Sequence, residues 1–246
     1  MPGIVDSYAL GFPAGWVSWT VGQGSERADE LSAKAADAPE AKEIVHRGGS
    51  VIMAKISGIT YGASKDWVRW APGEGSAVAA DLAAGVSENA QVQALLRRAI
   101  EGFDRTVAGQ PGVWGAGLWV PEPESREPLA DMVVRVVDPD DEKRIGVQDY
   151  LRLCKEPPRR RGVKQFNVSV SEATLPAGPA VLQVSDEMQH RWSRVVSMVM
   201  RWAVFPENTE QMVVIDFRTA QPALFDPLSL ETNDITDSLV VELAQS

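Results

Sequence analysis

The chain has 246 residues, with 24 lysines and arginines against 34 aspartates and glutamates, a formal net charge of −10. At 44% hydrophobic and 24% charged it has the composition of a globular protein able to bury a core, which argues against a disordered, collagen-like or membrane-spanning chain. An acidic surface repels phosphate backbones, so no nucleic acid is expected as a partner.

Reactive side chains are scarce: two histidines, His46 and His190, and one cysteine, Cys154. An intramolecular disulfide is therefore excluded. A structural zinc site takes about four Cys or His ligands at close spacing, and these three residues are scattered singly, so neither metal nor cofactor is expected. Met1 to Asp6 lacks the basic start and apolar run of a secretory signal, and no apolar stretch of about 18 residues would cross a bilayer. A cytoplasmic location and no membrane insertion are the default reading. No low-complexity linker divides the sequence, so residues 1–246 read as a single domain.

In chain order, Tyr8 to Val21 holds a Pro-x-Gly turn followed by alternation and reads as a strand. Ser25 to about Val45 reads as a helix with an acidic first turn, interrupted at Pro39. Ser50 to Ile56 reads as a short buried strand, and the Trp67 and Trp70 pair follows at i, i+3. Ser76 to Val107 repeats apolar residues at three- and four-residue steps; Gly85, with Ser87 as N-cap, splits it into two helices. Gly112 to Pro121 and Leu129 to Val137 pair as a hairpin. Gly146 to Cys154 is a short helix stopped by Pro157-Pro158. Strands follow over Phe166 to Leu175, Ala180 to Ser185 and Val195 to Phe205, the last forming a hairpin with Gln211 to Thr219. The apolar spacing from Phe225 onward suits a closing helix and then a short strand.

No motif for chemistry survives inspection. Gly22-Gln23-Gly24 follows a strand and opens a helix as a dinucleotide fingerprint would, but Arg27 stands where the third glycine must let the helix approach the sheet. The nearest relative of a nucleophile elbow, Gly58-Ile59-Thr60-Tyr61-Gly62, carries threonine at the nucleophile position. Asp138 to Glu142 is rich in carboxylates, yet Lys143 and Asp149 occupy the positions where a calcium loop needs glycine and glutamate. Cys154, after Leu151 and Leu153, reads as a small buried hydrophobe.

Recognition residues are better represented. There are eight tryptophans, a residue type that with arginine is enriched at binding hot spots. Most belong in the core on size alone, but Trp16 with Trp19, and Trp67 with Trp70, are spaced so that one ring of each pair can be exposed. Arg159, Arg160 and Arg161 follow Pro157-Pro158 in what reads as an exposed loop. These seven residues are the candidate partner-binding set.

The opening Leu10-Gly11-Phe12-Pro13-Ala14-Gly15-Trp16, the strand entry Leu175-Pro176-Ala177-Gly178-Pro179-Ala180-Val181, and a last hairpin ending Phe217-Arg218-Thr219 before a final helix resemble the PsbP-like α/β/α sandwich family, in its actinobacterial type. The resemblance covers residues 8–20 and 108–243; residues 47–75 depart from it and read as an insertion. It implies an α+β fold, a curved and mostly antiparallel β-sheet flanked by helices. It also implies a largely non-enzymatic role, since the family includes extrinsic photosystem subunits, an import factor that binds a small GTPase, cell-envelope lipoproteins and secretion chaperones. No catalytic residue carries over. The expectation is a non-enzymatic protein-binding module, an adaptor, secretion-related chaperone or assembly subunit, whose partner is another protein or a second copy. The alternatives are a small-ligand carrier with an aromatic pocket between sheet and helices, lined by some of Trp114, Trp119 and Trp202, and a hydrolase with an unrecognised site marked by His46 or His190 beside a carboxylate.

Overall fold

Alternation and helical spacing become elements over residues 54–122, 127–138, 145–155, 163–189 and 195–244, which the structure, a computed structural model, describes. The Tyr8 to Val21 strand and the first helix lie outside the described residues. In chain order come β1 (Ile56–Thr60), β2 (Trp67–Trp70), α1 (Gly75–Val86), α2 (Ala90–Val107), β3 (Val113–Trp119), β4 (Ala130–Val137), α3 (Val147–Lys155), β5 (Val163–Leu175), β6 (Gly178–Gln189), β7 (Val196–Val204), β8 (Met212–Thr219), α4 (Phe225–Asp237) and β9 (Val240–Leu243). Most of the strand expected over Ser50 to Ile56, residues 50–53, lies outside the described residues; β1 begins at its last residue, Ile56.

Seven strands form one antiparallel sheet in the order β2-β3-β4-β8-β7-β6-β5, and β1 with β9 forms a separate ribbon. The β3–β4 hairpin and the β5 to β8 meander are sequential, as local turns dictate. The joint between them, β4 beside β8, pairs Met132 with Phe217 and Val134 with Ile215. Residues 47–75, expected as an insertion, include β1, which pairs with β9, and β2, which pairs with β3.

Period-two alternation gives the sheet two faces. On one, Met132, Val134, Met200, Trp202, Ile215 and Phe217 are buried beneath Leu228 and Ile235 of α4, Leu239 and the β1–β9 ribbon. On the other, Val68, Trp70, Ala116 and Leu118 meet α1 and α2. Ala79 and Ala83 let α1 approach closely, and Val92, Leu96, Ile100 and Val107 form the apolar stripe of α2. The break between the helices falls as expected, but the cap is Asn89, whose side chain accepts from the Gln91 N–H at 2.9 Å; Ser87 instead accepts from the Asn89 N–H. Helix α3 lies on the same face as α1 and α2, over β5 and β6, with Tyr150 edge-on to Phe205 at 5.7 Å. The result is helices, sheet, then helix and ribbon: the α+β architecture expected.

Two turns set the register. Gly178 closes the β5–β6 hairpin at φ +135°, and a Cβ there would sit 2.5 Å from the Phe205 carbonyl oxygen. The motif Leu175 to Val181 is thus a structural turn. Thr219, the threonine that closes the Phe-x-Thr ending of β8, donates to the Leu129 carbonyl at 2.7 Å and ties the sheet's centre to the β3–β4 loop.

Candidate functional site

At the end of the strand order, β2 leaves one edge unpaired among the described residues. Alongside it runs an open groove of about 720 Å³ between the segment after β1 (Tyr61, Lys65), the edge of β2, and the flank of α1 (Asp81, Leu82, Gly85, Val86). Trp114 of β3 lines it and is 41% exposed.

The groove is built by locked residues. Gly62 donates its N–H to the Ser238 hydroxyl at 2.9 Å, pinning the segment after β1 to the end of α4. Arg69 donates to the Tyr61 carbonyl at 2.9 Å, and its guanidinium lies 5.2 Å from the Tyr61 ring centre. The Tyr61 ring rests over Gly115, where a Cβ would meet the phenol oxygen at 2.8 Å. Burial pushes the Tyr61 phenol up, with Arg69 pulling it back, so the hydroxyl stays protonated. On the α1 side, the Asp104 carboxylate accepts from the Trp70 indole at 2.9 Å, the Gly73 N–H at 2.8 Å and the Gly75 N–H at 3.1 Å.

Trp67 and Trp70 both line this groove, yet neither ring is exposed: they are 5% and 7% accessible. Trp67 stacks on Trp119 at 6.4 Å, meets Phe217 edge-on at 5.8 Å and donates its indole N–H to Glu231 at 3.0 Å. Trp70 meets Phe103 edge-on at 6.1 Å. The expectation of an exposed ring in this pair does not hold, because alternation turns Trp67 into one core and Trp70 into the other. Trp16, Trp19 and Arg159 to Arg161 lie outside the described residues, as do His46 and His190. Tyr61 and Arg69 escaped the sequence reading as site residues, whereas Trp114 was expected as a pocket-lining ring and does line the groove. Trp114 had a local signal, an aromatic between Val113 and Gly115 where the β3 register shifts, which turns its ring away from the regular alternation.

A second polar group lies on the sheet face beside α3. Asp216 accepts from both Arg135 and Arg201, the latter at 2.5 Å, and Arg218 reaches Glu187 at 3.4 Å. Asp131, paired in register with Arg218, is pushed up to about 6 by burial against that guanidinium's pull. Above this floor, burial raises Tyr150 to about 12 and raises Cys154 as well, the phenol and thiol sharing a hydrogen bond. Both therefore stay protonated at neutral pH, the opposite of an activated nucleophile. Trp119 and Trp202, expected to help line a ligand pocket with Trp114, are closed inside the core at 4% and 2% accessibility.

Among the described residues no group of three His, Cys, Asp or Glu side chains converges on a point where a metal would sit, and no helix is long and apolar enough to cross a membrane.

The layers and strand order define an α+β protein of the sandwich kind, whose sheet ends, among the described residues, at β2 on one side and β5 on the other. Among solved structures the chain is similar to LpqN, involved in cell envelope biogenesis of Mycobacterium tuberculosis, at 13% identity over 80% of this chain and 88% of that one, TM-score 0.41. It is also similar to cyanobacterial PsbP from Synechocystis, at 10% identity over 79% of this chain and 96% of that one, TM-score 0.38. PsbP is the family whose resemblance the sequence carries, and the likeness to these structures concerns the fold alone. No protein-family model and no curated protein matches the chain.

Proposed function

We propose that the chain is a non-enzymatic protein-binding module that receives its partner in the groove along β2. The observation that carries this reading is the combination of a strand edge unpaired among the described residues, an open groove beside it, and an exposed Trp114 at its wall. Free strand edges add strands readily and are normally blunted by charge, bulge or cover, and an exposed indole is costly unless something packs on it. Scarce histidine and cysteine, and a buried Cys154 thiol kept protonated, support a binding role over covalent chemistry.

A photo-crosslinking residue in place of Trp114, compared with one at exposed Leu153 on α3, tests it in cells. A protein adduct, to another chain or to a second copy, formed from position 114 and absent from 153 is the expected result. Equal labelling from both positions, or no protein adduct from 114, rejects the groove as the binding site.

A further inference from the structure

The groove's chemistry specifies the kind of segment it would take, an inference that rests on the binding reading above. Antiparallel pairing points alternate residues of a strand toward alternate neighbours. Asp66 accepts from the Val120 N–H at 2.7 Å, and Val68 and Trp70 pair with Leu118 and Ala116, so these residues face β3. The Trp67 carbonyl and both the N–H and the carbonyl of Arg69 therefore point to the open side, while the Trp67 N–H is taken by Ser64 at 3.2 Å. An incoming strand opposite Arg69 would exchange two backbone hydrogen bonds with it and gain a third from Trp67.

The side chains of that strand would alternate between two unlike walls. On the Arg69 side stand the exposed cations Lys65 and Arg69, and among the described residues neither is paired with a carboxylate in a chain of net charge −10. On the opposite side stand Leu82 and Val86 of α1, with Asp81 at the rim. Directly opposed charges stabilise a strand pair and like charges destabilise it. We propose that the β2 edge binds an extended peptide segment of a partner protein by strand addition, the segment reading apolar–acidic–apolar with the acidic residue opposite Arg69 and its neighbours against Leu82 and Val86. Asp81 rejects acid on the apolar side, which sharpens the alternation.

The test is binding of short labelled peptides to the full chain by fluorescence anisotropy. A peptide with an aspartate between two leucines is compared with its lysine counterpart, and with a version N-methylated at the backbone of the central residue. The acidic peptide should bind; the lysine and N-methyl peptides should each lose about tenfold or more. Lys65→Glu and Arg69→Glu should reverse the preference toward the lysine peptide, and Lys65→Glu, in an exposed loop, spares the Tyr61 contact. Binding that ignores the central charge, or that survives N-methylation, overturns strand addition, as does failure of the acidic peptide to bind. Failure of the peptides alongside a protein adduct at position 114 would discard this segment chemistry and leave the binding module standing; loss of both would discard the module.

Discussion

Asp104 holds the α1 wall of the groove in place: one buried carboxylate takes three donors, from Trp70, Gly73 and Gly75. Asp104→Ala strands those donors in the core and should cost about 3 kcal/mol, read as a lowered urea midpoint. Asp104 shares the buried α2 face with Ile100 and Val107, and its partners lie 29 to 34 residues away, beyond any local signal. Asp131 gives a pH signature instead. Its carboxyl, about 6 when folded against an ordinary 3.8, holds a proton in the folded state that the unfolded chain has lost. Its contribution to stability therefore declines as pH rises between about 4 and 6 and stays at its minimum above. Asp131→Asn should stabilise the protein at pH 8 by on the order of 1–2 kcal/mol, allowing for partial exposure, and change little at pH 4. Denaturation at the two pH values checks the difference.

At the scale of elements, the helices and the sequential hairpins were legible because their signals are local. The two-helix reading of Ser76 to Val107 stands, with Asn89 as its cap; Asn89→Ala should cost about 1 kcal/mol and raise amide exchange in the first turn of α2. The turn Leu175 to Gly178 was legible as a motif, and its physical reason is the left-handed glycine against Phe205. Gly178→Ala places a Cβ 2.5 Å from a backbone oxygen, so it should lower the melting temperature sharply, whereas Gly146→Ala, with open space around it, should not. β2 was not legible. Four residues, Trp67 to Trp70, give i, i+3 spacing and period-two alternation at once, and their pairing with Ala116 to Trp119 is set by residues far along the chain.

At the scale of the molecule, the tryptophans among the described residues sort by face. Trp67, Trp119 and Trp202 serve the core under α4, Trp70 serves the core under α1 and α2, and Trp114 is left at the groove. Peptide binding in the groove should therefore change the tryptophan emission of the native chain, and Trp114→Phe, which removes the one exposed ring of the three described tryptophans lining it, should cut that change sharply while leaving the melting temperature within a degree or two of the parent's, since an exposed ring contributes little to the core. A native-sized change in Trp114→Phe would move the binding site elsewhere. The charge network of Arg135, Asp216 and Arg201 lies on the sheet face beside α3, a placement no run of sequence announces because its members come from three strands.

Alternation, turn residues and helical spacing are properties of neighbours in the chain, and they were enough to place the hairpins, the helix pair and the closing helix, while the α+β class came as what the PsbP-like resemblance implies. The shortage of histidine and cysteine, a matter of counting, was enough to turn the reading toward binding. Burial is a different kind of property. Whether Trp70 or Trp114 meets solvent depends on β4 finding β8, on β2 ending the sheet, and on α1 and α2 folding back over that end. Such contacts join residues widely separated in sequence, and the free energy that selects them comes from burying whole faces at once. The open edge, and the groove beside it, exist only when the sheet is assembled.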